Sequence, residues 1–169
     1  VIVERAFGLD TARHLSIAGK YLHRMAQPDR WISWWPGAVW TGMRMIKRYK
    51  PAAIMSTFPI ATAHRIGLSL QKRSGLPWIA DFRDSMTEEG YPRDPLTWKV
   101  QRKLEQEVVR HCTTAVFTTE PTRQMYAERY PDYHDSHWAV IENGFDEENF
   151  QNAETELEPL PLGSPGQIT

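Results

Sequence analysis

Cysteine is almost missing from this 169-residue sequence, which holds only Cys112. One thiol excludes an internal disulfide and a cysteine-rich zinc site, and it fits a reducing compartment. At a helix end, Cys112 reads as a small buried residue rather than a nucleophile. No run of about 18 apolar residues occurs, so no transmembrane helix is expected. The opening VIVERAFGLD lacks the n-region and cleavage site of a signal peptide. Excess charge is absent too. Twenty Lys and Arg against 21 Asp and Glu leave a net charge of -1, whereas nucleic-acid binders carry a basic excess, so no nucleic-acid partner is expected. GxGxxG, Walker A and GxSxG motifs are all missing, which removes the usual dinucleotide, P-loop and α/β-hydrolase readings. His64, His111 and His137 are not at metal-ligand spacing, and the pair His134 and His137 has no third partner nearby, so no metal site is expected.

What is present is a foldable chain. Hydrophobic residues make up 41% and charged residues 24%, ordinary values for a globular protein and too apolar for a disordered one. The length suits one domain with a real core. Thr11 can cap a first helix with Leu15, Ala18, Leu22 and Met25 along one stripe. Pro36 suits the start of a second, in which Val39, Met43 and Ile46 keep helical spacing until Lys50-Pro51. The apolar run 52–56 predicts a strand buried on both faces. A third helix runs over about 60–73, with Ala63, Ile66, Gly67 and Leu70 inward, and ends at Gly75. Strands at 78–80, 114–118 and 138–141 then alternate with helices at about 95–111 and 121–130. Such alternation, with room for a crossover helix each time, predicts an α/β fold: a Rossmann-like, doubly wound parallel sheet. Val1-Ile2-Val3 reads as the end of a strand, and the expectation is of a chain cut from a longer polypeptide. Residues 1–150 form the expected domain. Beyond Glu154, ELEPLPLGSPGQ has a linker's composition, so 151–169 is expected to lead toward a second domain.

Ligands of open parallel sheets bind beyond the carboxyl ends of the strands, where helix N-termini and loop side chains converge. Four segments fall there. Ser56-Thr57-Phe58-Pro59 turns from strand into helix and offers hydroxyls to a polar ligand, or is a plain capping turn. Asp81-Phe82-Arg83-Asp84 opens a connection of about 12 residues where two to six is usual. Its carboxylates can accept from sugar hydroxyls while Arg83 donates, or the three charges can pair among themselves. Thr119 and Glu120, in TTEPT, suit either ligand binding or helix capping. Asn143-Gly144-Phe145-Asp146 is a turn able to brace a hinge.

Taken in order, STFPIATAHRIGLSLQKRSGLPWIADFRDSM, a helix bearing Glu105 and Glu107, AVFTTEPT and VIENGFDEENF resemble the N-terminal domain of family 4-type glycosyltransferases of the GT-B fold. The match spans about residues 50 to 150, and its strongest elements are the strand ending in DFRD and the closing I-x-N-G-F-D. The family's Gly-rich turn after its first strand has no counterpart here, and DFRD stands where many relatives carry a His. The resemblance implies the acceptor-side half of a retaining enzyme, in which a second domain would hold a nucleotide sugar as co-substrate and no further cofactor is needed. It implies Asp81 or Asp84 as positioners of a saccharide or lipid-linked acceptor, with Arg83 steadying a phosphate or carboxylate. Ser56, Thr57, Phe58, Thr119, Glu120 and Asn143, from their place at the strand ends, are the expected substrate-binding residues. The implied setting is cytoplasmic polysaccharide or glycoconjugate synthesis, with peripheral contact at the inner face of the membrane.

Trp31, Trp34, Trp35 and Trp40 precede Arg44, Lys47, Arg48 and Lys50. This stretch can meet an anionic membrane, or the tryptophans can pack inward while the cations complement a helix C-terminus. Two other functions share the strand-helix alternation: a non-catalytic α/β ligand-binding module, and a GT-B-like sugar-nucleotide epimerase.

Overall fold

A computed structural model of the chain describes residues 1–14 and 26–144. The chain is α/β, with four parallel strands in the order β1-β2-β3-β4. These are β1 (Ile54–Thr57), β2 (Trp78–Phe82), β3 (Thr114–Phe117) and β4 (Trp138–Val140). A short helix α1 (Thr11–His14) and a longer α2 (Trp34–Tyr49) precede them, and α3 (Ala61–Ser74), α4 (Pro95–His111) and α5 (Glu120–Arg129) cross between successive strands. The alternating, all-parallel arrangement is Rossmann-like, as the periodicity predicts.

Local chemistry sets most boundaries. Asp94 caps α4 by accepting from the Thr97 N–H at 2.7 Å, and Pro95 follows at the first helical position, where its missing N–H costs nothing. Gly75 ends α3 at φ +69°, its N–H reaching the Gln71 carbonyl at 2.8 Å. Helix α2 starts two residues before Pro36, which sits in the first turn where no N–H is needed. Three expectations are corrected. Val1-Ile2-Val3 is exposed and not in a strand. Asp10, not Thr11, accepts from the Arg13 N–H and so caps α1. Ala52 and Ala53 lie outside β1. Leu15, Ala18, Leu22 and Met25, Phe145 and Asp146, and the expected linker at 151–169 lie outside the described residues.

Strand alternation divides the sheet into two unlike faces. In one row, Ser56, Ala80, Ala115 and Trp138 pair in register and look toward the helices. Trp78, Phe82 and Phe117, all fully buried, share that face with Tyr126 of α5. The rings of Phe82, Phe117 and Tyr126 lie 4.8 to 5.5 Å apart, centroid to centroid, and each such side chain contributes about 1.5–3 kcal/mol on burial. In the next row, Thr57, Asp81, Val116 and Ala139 pair across the other face. There Met55 is 65% exposed and Ile141 64%, so β1 is not buried on both faces by the described residues, as its apolar run had predicted.

Candidate functional site

The carboxyl ends of the strands are occupied by two clefts separated by Arg83 and Thr118, which line both. The first, of about 400 Å3, lies between Phe58-Pro59, the β2–α4 connection and the start of α5. Arg83, Asp84, Glu88, Tyr91, Thr118 and Thr119 give it its polar character. The second, of about 480 Å3, lies on the uncovered sheet face and contains Asp81 and Asn143 over Met55, Ile79, Val116 and Ile141.

Parity explains the partition. Asp81 belongs to the row on the open face, so it is half-buried there and accepts from Thr57 Oγ1 at 2.9 Å. The chain leaves the sheet after Phe82, and Arg83 and Asp84 stand exposed at its end. Neither side chain has a hydrogen bond or ion pair among the described residues. The three charges of DFRD therefore do not neutralise one another. Thr118 fixes the Arg83 backbone instead, donating to its carbonyl at 2.9 Å.

The remaining sequence-predicted residues divide. Thr119 caps α5, accepting from the Thr122 N–H at 3.4 Å, with its hydroxyl 2.9 Å from that of Thr122 inside the first cleft. Phe58 lines the same cleft but is only 5% exposed. Glu120 lines neither cleft. Arg123 donates to it through two nitrogens at 2.6 to 2.9 Å, and that hydrogen bond holds its carboxyl below the usual range. Ser56 is turned inward. Its hydroxyl accepts from Trp78 Nε1 at 2.9 Å and lies 2.8 Å from His64 Nδ1. An indole N–H can only donate, so the Ser56 hydroxyl accepts from Trp78 and, with the His64 ring also within hydrogen-bond reach, serves the core.

The β2–α4 connection, residues 83–94, is pinned rather than loose. Met86 and Thr87 are buried. The Met86 N–H donates to the Tyr126 hydroxyl at 3.0 Å, and Thr87 Oγ1 donates to Glu105 at 2.8 Å. Arg129 donates to the Thr87 carbonyl at 2.9 Å. Ser85 hydrogen-bonds Glu88, an antiparallel bridge joins Glu88 to Tyr91, and Trp98 Nε1 donates to the Glu88 carbonyl at 3.0 Å. A rigid scaffold thus presents Arg83, Asp84, Glu88 and Tyr91.

Glu105 is the centre of that scaffold and its role was not visible in the sequence. Fully buried on α4, it receives Thr87, Tyr126 (3.0 Å), Tyr130 (2.7 Å), Arg102 (2.5 Å) and Arg129 (2.9 Å). Burial beside that carboxylate raises both tyrosine hydroxyls above their ordinary pKa. A Glu in a helix gives no sign of five partners drawn from the β2–α4 connection, α4 itself and the end of α5.

Cys112 lies 3.5 Å from His137 Nε2, a spacing that suggests a thiol–imidazole pair. Burial pushes the thiol up to about 12 and lowers the imidazole, the reverse of an activated nucleophile. Cys112 should resist iodoacetamide at neutral pH in the folded chain and react only after denaturation, as mass spectrometry would register. Rapid native labelling would overturn its assignment to the core.

Comparison with protein-family models finds no match, and no curated protein matches at a significant level. Among the described residues no helix is long and apolar enough to cross a membrane.

Proposed function

We propose that this chain is the acceptor-binding domain of a retaining glycosyltransferase of the GT-B type, with the first cleft as the acceptor site. One observation supports it above the others: Arg83 and Asp84, exposed on a pinned loop with side chains unpaired among the described residues, share a cleft with the hydroxyls of Thr118 and Thr119. A saccharide needs donors and acceptors held in fixed geometry, and a guanidinium beside a carboxylate supplies both. The DFRD and NGFD motifs add the resemblance. In this reading Asp84 orients the attacking acceptor hydroxyl, and Arg83 steadies a phosphate or carboxylate. Asp81 and Asn143, in the adjoining cleft, lie toward a nucleotide sugar carried by a further domain. The acceptor is a saccharide or a lipid-linked saccharide, the latter met at the cytoplasmic membrane surface, where Trp31 and Trp40, the exposed tryptophans of the Trp31–Trp40 stretch, are the peripheral contact.

Backbone amide shifts of the chain, recorded during titration with saccharides and sugar phosphates, test the binding half. Shifts should cluster at Asp84, Tyr91, Thr118 and Thr119, and Arg83→Ala should weaken binding at least about tenfold, the cost of losing a charged hydrogen bond. The longer polypeptide carrying this chain, assayed with a panel of nucleotide sugars, tests the chemistry. Asp84→Ala and Asp81→Ala should each lower transfer while the proteins stay folded. Transfer indifferent to both would sink the assignment, and donor epimerisation without transfer would replace it with the epimerase.

A further inference from the structure

On the helical layer, sharing no lining residue with either cleft, α3 and α4 leave a groove of about 600 Å3. Its lining on α3 is Arg65, Leu68, Ser69 and Lys72, a single stripe at i, i+3, i+4 and i+7. The matching stripe on α4 includes Lys99, Val100, Lys103 and Leu104. Each helix thus contributes leucine or valine to the floor and cations to the wall. Trp35 of α2 adds an aromatic surface, held by its indole N–H donating to Ser69 Oγ at 2.8 Å.

The charges do not cancel locally. Four cations face one carboxylate, Glu107, and Glu107 already accepts from Lys72 at 2.9 Å and lies 3.4 Å from Arg110. Arg65 sits over the Trp35 ring, 4.4 Å from its centroid, with no carboxylate partner among the described residues. Lys99 and Lys103 are exposed and have no ion pair among the described residues. Arg65, Lys99 and Lys103 are the uncompensated charges, and they stand on both sides of an apolar floor.

We propose that this groove docks an acidic amphipathic helix of a partner protein, its apolar ridge on Leu68, Val100 and Leu104 and its carboxylates meeting Arg65 on one wall and Lys99 and Lys103 on the other. Shape favours a helix over a lipid surface. The floor is recessed between two helices, Leu104 being only 9% exposed, and a ridge at helical spacing fills such a groove. A flat bilayer would reach the lysines and leave the floor uncovered. The inference is independent of the glycosyltransferase reading, since it uses none of the residues at the carboxyl edge.

The test titrates the full chain into a labelled, Leu- and Glu-based amphipathic peptide about five turns long, followed by fluorescence anisotropy. Controls are a scrambled peptide of the same composition and vesicles of phosphatidylcholine with phosphatidylglycerol. Binding should fall with salt toward about 0.5 M, and the double variant Lys99→Glu with Lys103→Glu should lose at least about tenfold in affinity. A peptide with Lys replacing its Glu residues should then prefer the variant over the wild type. Circular dichroism verifies that these exposed substitutions leave the fold intact, and Arg65→Glu supplies a second variant from the opposite wall. Equal binding of the scrambled peptide, indifference to the substitutions, or capture of vesicles with no capture of the peptide would each overturn the proposal.

Discussion

Replacing Glu105 by alanine is expected to destabilise the fold by about 3–5 kcal/mol, the range for breaking a buried ionic network from one side. The carboxylate is fully buried and receives Arg102, Arg129, Thr87, Tyr126 and Tyr130. Its removal leaves two guanidiniums without their counter-charge and three hydroxyls without an acceptor, each costly in a low-dielectric interior. The effect should be local as well as global, because Thr87 and Met86 are the points where residues 83–94 enter the core. Urea denaturation should register the loss of stability. Hydrogen exchange should show residues 85–88 opening ahead of the sheet. Glu105→Gln keeps the volume and one acceptor oxygen, so it should be milder yet loosen the same segment. Wild-type stability in the alanine variant would mean that the network contributes nothing net. Loosening at 85–88 without any loss at Arg83 and Asp84 would separate the scaffold from the site.

Acidification should expose a second dependence, centred on His64. Its ring is fully buried beside Phe58, Trp78 and Phe82, Nδ1 meets Ser56, and Nε2 has no partner among the described residues. Burial alone lowers its pKa from 6.5 to about 3, so the folded chain keeps the ring neutral. Between those two values the unfolded chain binds a proton that the folded chain refuses, and stability must fall as pH falls. Below about 3 both forms are protonated and the dependence on this group ends. At about 1.4 kcal/mol per pH unit, the window amounts to roughly 5 kcal/mol. Urea midpoints taken from pH 6.5 downward should therefore drop more steeply for the wild type than for His64→Gln, which cannot titrate. Parallel profiles for the two proteins would refute the buried neutral imidazole.

Much of the candidate site was legible because its signals are local. The 12-residue length of the β2–α4 connection marks it at once, and DFRD places three charges at the strand's end. The same string suggested that Asp81 and Asp84 act together, whereas parity sends Asp81 to the open face and leaves Asp84 in the first cleft. Ser56 looked like a ligand group for its place after a strand, yet the Trp78 indole and the His64 ring claim it. Glu88 and Tyr91 line the first cleft because a two-residue bridge and the Trp98 indole hold them there. That geometry depends on partners ten residues away.

Hydrophobic period, Pro and Gly placement and helix spacing were enough to order the described strands and crossover helices, since each is set by contacts within a few residues. They also sufficed to place DFRD and Thr119 at the carboxyl edge of the sheet, which follows from strand direction alone. The tertiary structure alone decided which charges stay unpaired among the described residues, which polar groups are absorbed into the core, and where three cations gather across two helices. Those outcomes depend on groups far apart in sequence that meet only when the helical layer closes on the sheet, and on the cost of burying any polar atom that meets no partner there.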